Sequence, residues 1–478
     1  MVRMLIGGKP AEASSGKWME IRNPATGELV DTVPQGTSED VHRAVAAAEK
    51  ALPEWSGLPS ARRGEVLRKA VQLVHEHEGQ LSKLLTQEQG KPLGESVREL
   101  RRFAHTLEHY AGLAKNFRGS HIPGLDEGKY GLILKRPIGI CGAIVPWNFP
   151  VALLGNKLGP ALLAGNAVIV KPASSAPLTD IRCIELLCEA GVTPGALSIV
   201  TGPGGTVGEE ILRHPAIRKI GFTGETRTGK HVMEVAAQEI KRVTLELGGS
   251  DPMIVAADAD LEAAVSAAAV GRFYNCGQAC LAIKRLYLFE RVYDEFVAKL
   301  VEKTKRLKIG NGLEADTRLG PLHTAAQREE VEQQVADAVG RGARVLVGGQ
   351  RPEGPAYAKG HFYQPTLLAD VPDDGRIVQE ECFGPALPVF RVKGWDEAIA
   401  RANNSIYGLG SSVWSRDLAQ AMRAAERIES GYTWINSAQT IYDELPFGGV
   451  KWSGLGKEHG SEALDYYTET KSVVVGNA

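Results

Sequence analysis

The chain has 478 residues, 43% of them hydrophobic and 23% charged, which is long enough for two or three domains and apolar enough to build their cores. Its 55 Lys and Arg stand against 57 Asp and Glu, a balance that gives no electrostatic ground for nucleic acid or an anionic membrane as a partner. The 6 cysteines form no CxxC pair, which argues against a disulfide framework and against zinc; with no secretory signal and no apolar run of about eighteen residues, the expected compartment is the cytoplasm.

From Thr37 to about Asn116 the pattern is helical: Thr37 with Asp40 makes a capping box, and Val41, Val45, Ala48 and Leu52 follow on one apolar face. A second helix runs from about Ser60 to His77. After Gly119, Tyr130, Leu132 and Leu134 alternate with Gly131, Ile133 and Lys135, the pattern of a small hairpin that leaves the main body. Between Ile138 and Gly249, short Val/Ile-rich runs alternate with helices: Cys141 to Val145, Ala167 to Val170, Leu197 to Val200, Lys219 to Phe222 and Val243 to Leu247. Such alternation describes a parallel sheet with crossover helices, and ligands of such sheets sit outside the C-terminal ends of the strands. A second α/β stretch reaches from Gly249 to about Lys451, with a helix from Val292 to Leu307 and strands near Arg344-Val345-Leu346 and from Gly431 to Asn436. The tail, Tyr467 to Val475, is a strand with nothing local to pair with, and such an edge invites another subunit.

Two glycine-rich stretches bear on the ligand. Gly224-Glu225-Thr226-Arg227-Thr228-Gly229-Lys230-His231 approaches a phosphate-binding P-loop but has His231 where a Mg²⁺-binding Ser or Thr is needed, which opposes a phosphotransferase. Gly202-Pro203-Gly204-Gly205-Thr206-Val207-Gly208 misses the dinucleotide fingerprint, whose last glycine would stand at Val207. Lys171-Pro172 directly follows a strand, so the lysine points toward the ligand crevice, although a solvated strand terminus would read the same way. Cys280 closes Gly277-Gln278-Ala279-Cys280, and Glu246 stands in Leu245-Glu246-Leu247-Gly248-Gly249. A thiol in a tight turn with a carboxylate in another points to covalent thiol chemistry, because a thiolate is the best side-chain nucleophile and needs a base or an electropositive site.

These pieces, with Pro146-Trp147-Asn148-Phe149-Pro150, Phe222-Thr223-Gly224, Glu381-Cys382-Phe383-Gly384-Pro385 and Pro446-Phe447-Gly448-Gly449, resemble the aldehyde dehydrogenase superfamily over essentially the whole chain. The resemblance implies an α/β protein of two open-sheet domains plus a small β oligomerisation domain. The Rossmann-like cofactor domain would comprise residues 1–117 and 138–248, the catalytic domain 249–452, and the oligomerisation segment 118–137 and 453–478 of a homodimer or homotetramer. It also implies that Cys280 attacks the aldehyde carbon, that the Asn148 amide and the Cys280 N–H hold the oxyanion, and that Glu246 activates the water that hydrolyses the thioester. Lys157 and Glu458 fall where the family has a proton-relay pair.

For the cofactor, the resemblance implies contacts from Pro146, Trp147, Lys171, Ser174, Gly204 and Phe222, and from Gly224, Glu225, Thr226, Leu247, Glu381 and Phe383. Many NAD-specific members carry a glutamate where this chain has Ser174. A carboxylate there would repel a 2′-phosphate and Ser174 does not, so NADP is expected, with NAD as the alternative. Glu225 stands where Ser is usual beside the pyrophosphate, and its side chain is expected to turn away. Positions flanking the motifs assign the aldehyde pocket to Phe149, Leu153, Asn156, Ala279, Leu281, Gln439, Ile441 and Phe447. No arginine is among them, and Asn156 stands where relatives acting on succinate semialdehyde or lactaldehyde carry one, so a neutral, small to medium aldehyde is expected. The alternative is a succinate-semialdehyde or lactaldehyde/glycolaldehyde type of dehydrogenase. Glu246 argues against a CoA-acylating relative, and the presence of both Cys280 and Asn148 against a catalytically silent one.

Overall fold

The computed structural model describes residues 1–476. The Val/Ile-rich runs become parallel strands Leu197–Ile199, Ala167–Lys171, Ile140–Ile144, Ile217–Thr223 and Arg242–Glu246, side by side in that order. Strands Ile140–Ile144 and Ala167–Lys171 are buried at every position, which is why they read as continuous apolar runs rather than as alternation. Successive side chains feed different cores. Cys141, Ala143, Val168 and Val170 pack with Leu107, Leu154, Leu158 and Ile184 on one face, while Ile140, Ile144, Ala167 and Ile169 pack with Val41, Val45, Ile211 and Val235 on the other.

The long helical stretch divides into Ser38–Gly57, Ser60–Glu76, Glu78–Gln89 and Leu93–Leu113. At the first N-terminus Asp40 Oδ2 accepts the Thr37 N–H at 2.9 Å. The antiparallel hairpin Met4–Ile6 and Lys9–Ala11 extends one end of the sheet, and Gly454–Leu455 pairs antiparallel with Arg242–Glu246 at the other. In register, Ile144 lies opposite Lys171 and Phe222, and Thr223 opposite Glu246, so the C-terminal ends of these strands share one rim.

A second sheet runs Arg344–Val347, Thr366–Ala369, Ala386–Val392, Ile283–Phe289, Asp251–Val255, Gly410–Trp414 and Tyr432–Ile435, parallel except for its first, antiparallel edge strand. Its own core gathers Met253, Leu286, Phe296, Leu368 and Val413. The helix expected from Val292 spans Glu290–Lys305.

Strand Thr468–Gly476, with nothing local in sequence to pair with, lies antiparallel on Lys129–Pro137, from Thr468 opposite Pro137 to Gly476 opposite Lys129. Lys129–Pro137 in turn pairs with Ser120–Asp126, whose residues are all exposed, so the open edges of this sheet are Ser120–Asp126 and Thr468–Gly476. The segment before the tail, expected to begin oligomerising at 453, instead joins the first sheet through Gly454–Leu455. That pairing needs glycine at 454, where φ is 157° and a Cβ would sit 2.3 Å from the Leu245 carbonyl oxygen. Its consequence is local, since the chain then returns Glu458 to the rim where Glu246 ends its strand. Among the described residues, no helix is long and apolar enough to cross a membrane.

Candidate active site

The turn that carries Cys280 is built against backbone preference. After helix Leu261–Phe273, Asn275 (φ 50°), Cys276 (φ 55°) and Gly277 (φ 74°) are successively left-handed, and the two non-glycine residues cost about 1–2 kcal/mol each. Buried hydrogen bonds hold this shape. Glu95 Oε2 accepts the Asn275 N–H at 2.8 Å, Gln278 Nε2 donates to the Asn275 carbonyl at 3.0 Å, and Gln278 Oε1 accepts the His323 N–H at 2.8 Å. At Gly277 a Cβ would meet the Gly384 carbonyl oxygen at 2.3 Å, so only glycine fits.

Asn148 is anchored to the same turn. Its carbonyl accepts from Lys91 Nζ at 2.6 Å and from Asn275 Nδ2 at 2.8 Å, and its own Nδ2 donates to the Gln278 carbonyl at 3.1 Å. Lys91 is ion-paired with buried Glu99, whose Oε1 accepts the Val151 N–H at 3.0 Å at the start of helix Pro150–Ala164. Lys91, Glu95, Glu99 and Asn275 are thus structural partners of the site that the sequence reading did not single out. Buried charge on a helix looks like ordinary surface charge until its partners are placed.

Cys280 Sγ lies 3.9 Å from Glu246 Oε2. Burial pushes the Glu246 carboxyl well above the usual carboxylate range, the nearby Glu458 charge adds to that, and Lys157 opposes it. Among the described residues Glu246 Oε1 has no hydrogen-bond partner. Burial likewise pushes the Cys280 thiol up, with Glu246 second, so the resting sulfur is a thiol beside a desolvated acid. Lys157 Nζ donates to Glu458 Oε1 at 2.7 Å and to Thr223 Oγ1 at 2.6 Å, and Asn156 Nδ2 donates to Glu458 Oε2 at 3.0 Å. Burial, the largest single influence, would raise Glu458, but Lys157, His459 and Asn156 together outweigh it and the carboxyl stays below its ordinary range.

Cys280 and Glu246 open onto a cavity of about 400 Å³. Phe149, Leu153, Asn156, Ala279, Leu281, Gln439, Ile441 and Phe447 all line it. So do two arginines, Arg98 and Arg102, from helix Leu93–Leu113, and the expectation of a wall free of arginine does not hold. They stand one helical turn apart on a face that looked like solvated helix in the sequence, far from the motifs used to place the pocket. Arg102 Nη2 is bound to buried Asp443 Oδ1 at 2.8 Å, and His459 Nδ1 lies 2.7 Å from the same oxygen. Arg98 sits 5.9 Å from the centre of the Tyr274 ring and, among the described residues, pairs with no carboxylate.

Most of the residues assigned to the cofactor lie at or just after the C-terminal ends of the first sheet's strands. Lys171 Nζ, at the end of its strand, donates to the Pro172 carbonyl at 2.9 Å, and burial pushes its ammonium down to about 8. Ser174 Oγ donates to the Gly202 carbonyl at 2.9 Å, and Gly204 opens a single π-helical turn where a Cβ would meet only open space. Glu225 precedes helix Thr226–Gln238 and turns outward, as expected, to Arg227 at 3.5 Å. Phe222 packs under Gly224, Thr226 Oγ1 donates to the Trp452 carbonyl at 3.4 Å, and the Leu247 N–H donates to the Ser453 carbonyl at 3.0 Å. Glu381 Oε1 accepts the Gly249 N–H at 3.0 Å. After Pro146, Trp147 stacks on His323 (4.6 Å, 7°) and meets Phe383 edge-on at 5.7 Å. His323, another unexpected participant, contacts Ser175 Oγ at 2.7 Å, and burial pushes its imidazole down to about 4. His231 of the P-loop-like stretch pairs with Glu209 at 2.8 Å. An open glycine turn, a buried lysine, a carboxylate and an aromatic wall fit a nicotinamide dinucleotide.

Residues 11–473 match the model of the aldehyde dehydrogenase family. A glutarate-semialdehyde dehydrogenase of Pseudomonas aeruginosa is 43% identical over 471 residues, which cover 98% of this chain and 97% of that protein. The chain belongs to the aldehyde dehydrogenase family. A second aldehyde dehydrogenase, the succinate-semialdehyde dehydrogenase [NADP(+)] of Escherichia coli, is 41% identical over 99% of this chain and 97% of its own length. A crystal structure of betaine aldehyde dehydrogenase from Staphylococcus aureus in complex with NAD+ superposes with a TM-score of 0.96 at 36% identity, covering 99% of this chain and 94% of that one. Aldehyde dehydrogenases of this fold combine a Rossmann-like and a catalytic domain, and they are NAD(P)-dependent oxidoreductases; the enzyme class of this chain is theirs.

Proposed function

We propose that the protein oxidises a short aldehyde bearing a remote carboxylate to the corresponding acid, through a thioester on Cys280 and with NADP as the preferred cofactor. The observation that carries the reaction is the contact of Cys280 Sγ with Glu246 Oε2 at 3.9 Å on the wall of the cavity. As Sγ bonds to the aldehyde carbon, the thiol proton leaves to solvent in the cavity, so that Glu246 stays available for the later step. The carbonyl oxygen gains charge and takes hydrogen bonds from Asn148 Nδ2 and the Cys280 N–H, donors worth orders of magnitude in rate when preorganised. A bound dinucleotide, held by Lys171, Ser174 and Glu381, supplies the acceptor for the aldehyde hydrogen as hydride. Glu246 then takes a proton from water, whose oxygen adds to the acyl carbon; the S–C bond breaks, the acid leaves, and the sulfur takes a proton back from Glu246. The Lys157–Glu458 pair tunes Glu246 through its charges, Glu458 raising the carboxyl's pKa and Lys157 lowering it.

Arg98 supports the substrate assignment. A guanidinium at the cavity wall that, among the described residues, forms no ion pair is a ready partner for an anionic tail, whereas Arg102 is already engaged by Asp443. The relatives named for glutarate and succinate semialdehydes act on aldehydes of that shape. A panel of neutral and ω-carboxylated aldehydes, assayed with each cofactor, tests the reading; faster turnover of the neutral compounds would overturn the substrate class. Arg98→Ala is expected to lower kcat/KM for the carboxylated aldehydes by about tenfold to a hundredfold while sparing neutral ones of equal length. An equal loss on both would remove Arg98 from substrate recognition.

The cofactor preference rests on Ser174, which adds no charge beside the Lys171 ammonium. Ser174→Glu would place a carboxylate there, and the ratio of NADP to NAD affinity is expected to fall about tenfold or more by like-charge repulsion. Titration of each dinucleotide checks it, and an unchanged ratio would refute the assignment.

A further inference from the structure

Four residues beyond Cys280 lies a cation that the mechanism above does not use. The Lys284 side chain is 0% exposed, and burying an ammonium costs several kcal/mol unless each N–H finds an acceptor. All three do: Nζ donates to the Ala279 carbonyl at 2.9 Å, to the Cys280 carbonyl at 2.6 Å and to Glu381 Oε1 at 2.9 Å. Glu381 Oε1 also accepts the Gly249 N–H, and a Cβ on Gly249 would lie 2.6 Å from the Cys280 carbonyl oxygen. The contacts close a ring that runs from Glu246 through Gly249 to Glu381, then through Lys284 to Cys280, whose sulfur returns to Glu246.

We propose that Lys284 is a positioning residue that clamps the Cys280 turn to the Glu381 carboxylate, so that the sulfur and the cofactor-facing carboxylate hold one fixed relation. Its consequence for turnover rests on the reading of Cys280 as nucleophile and Glu381 as a cofactor ligand. The clamp is also a charge placed near the thiol. The charged and titratable groups facing the sulfur are Glu246, Lys284, Glu381 and Asp251, of which Lys284 alone favours the thiolate. Lys284 itself is faced by Glu381, Asp251 and Cys382, and its ammonium lies 5.8 Å from the centre of the Phe383 ring.

A purely structural clamp and a charged one predict different outcomes. In the full-length protein without cofactor or aldehyde, the pH dependence of iodoacetamide alkylation at Cys280, located by mass spectrometry, reports the thiol; NADP titration by tryptophan fluorescence reports the crevice. For Lys284→Met the alkylation midpoint is expected to rise by about one pH unit, and NADP to bind about tenfold more weakly. Glu381→Gln should also weaken NADP but move the midpoint down, because it removes a negative charge beside the sulfur. Lys284→Arg, which keeps the charge, should hold the midpoint. Shifts of the same sign in Lys284→Met and Glu381→Gln, or an unmoved midpoint in both, would overturn the proposal. Where Lys284→Met does not fold, a fall in Glu381→Gln with no change in Lys284→Arg supports it, and any other pair of results overturns it. Opposed shifts in a protein that oxidises no aldehyde would uphold the clamp and remove the function proposed above.

Discussion

Cys280→Ser is expected to lower aldehyde oxidation by about a thousandfold or more while leaving NADP binding within about twofold. The serine hydroxyl ionises far less readily than a thiol, and burial together with the neighbouring Glu246 carboxyl disfavours an anion at this position. An alkoxide would have to form in the place least suited to it. The cofactor residues are spared because Lys171 and Ser174 donate to the Pro172 and Gly202 carbonyls and Glu381 accepts from the Gly249 N–H and Lys284 Nζ, none of these bonds being made to the sulfur. Steady-state assay with dinucleotide titration on the same preparation checks both halves. Turnover within about tenfold of the parent would remove the covalent mechanism, and intact mass after exposure to aldehyde and oxidised cofactor should show an acyl adduct on the parent only.

The parts of the molecule legible in sequence are those whose pattern is local. Strands Ile140–Ile144 and Ala167–Lys171 announce themselves because both faces are buried and polar residues are excluded from them. The turn around Cys280 is equally visible, since Gly277 meets the Gly384 backbone so closely that no other residue fits. What stayed hidden depends on contacts between distant segments. The register of Thr468–Gly476 on Lys129–Pro137 was hidden because the two strands lie more than 300 residues apart, a separation over which alternation carries no register information. Arg98 and Arg102 were missed for a related reason: on an amphipathic helix, a charge that faces a cavity and one that faces solvent have the same period. Lys284 lies four residues past the quoted motif, and only the fold shows that its ammonium reaches both the Cys280 carbonyl and Glu381.

Glu246→Gln is expected to separate the two halves of the reaction. Glutamine keeps the shape of the side chain and its place at the end of strand Arg242–Glu246, but it cannot take a proton from water. Acylation should still give a burst of reduced cofactor approaching one equivalent per active site, followed by a steady rate lower by about a hundredfold to ten thousandfold. The pH dependence carries the same sign. Only the deprotonated form of Glu246 is a base, and burial together with Glu458 raises its pKa, so less of that form is present at neutral pH and the hydrolytic rate of the parent should climb as pH rises through the elevated range. The climb should vanish in Glu246→Gln and move to lower pH in Glu458→Gln, which takes away a neighbouring negative charge. An external nucleophile such as hydroxylamine, which attacks the thioester without a base, should restore turnover to Glu246→Gln. A steady rate equal to that of the parent, or a slow variant without a burst, would take the hydrolytic step away from Glu246.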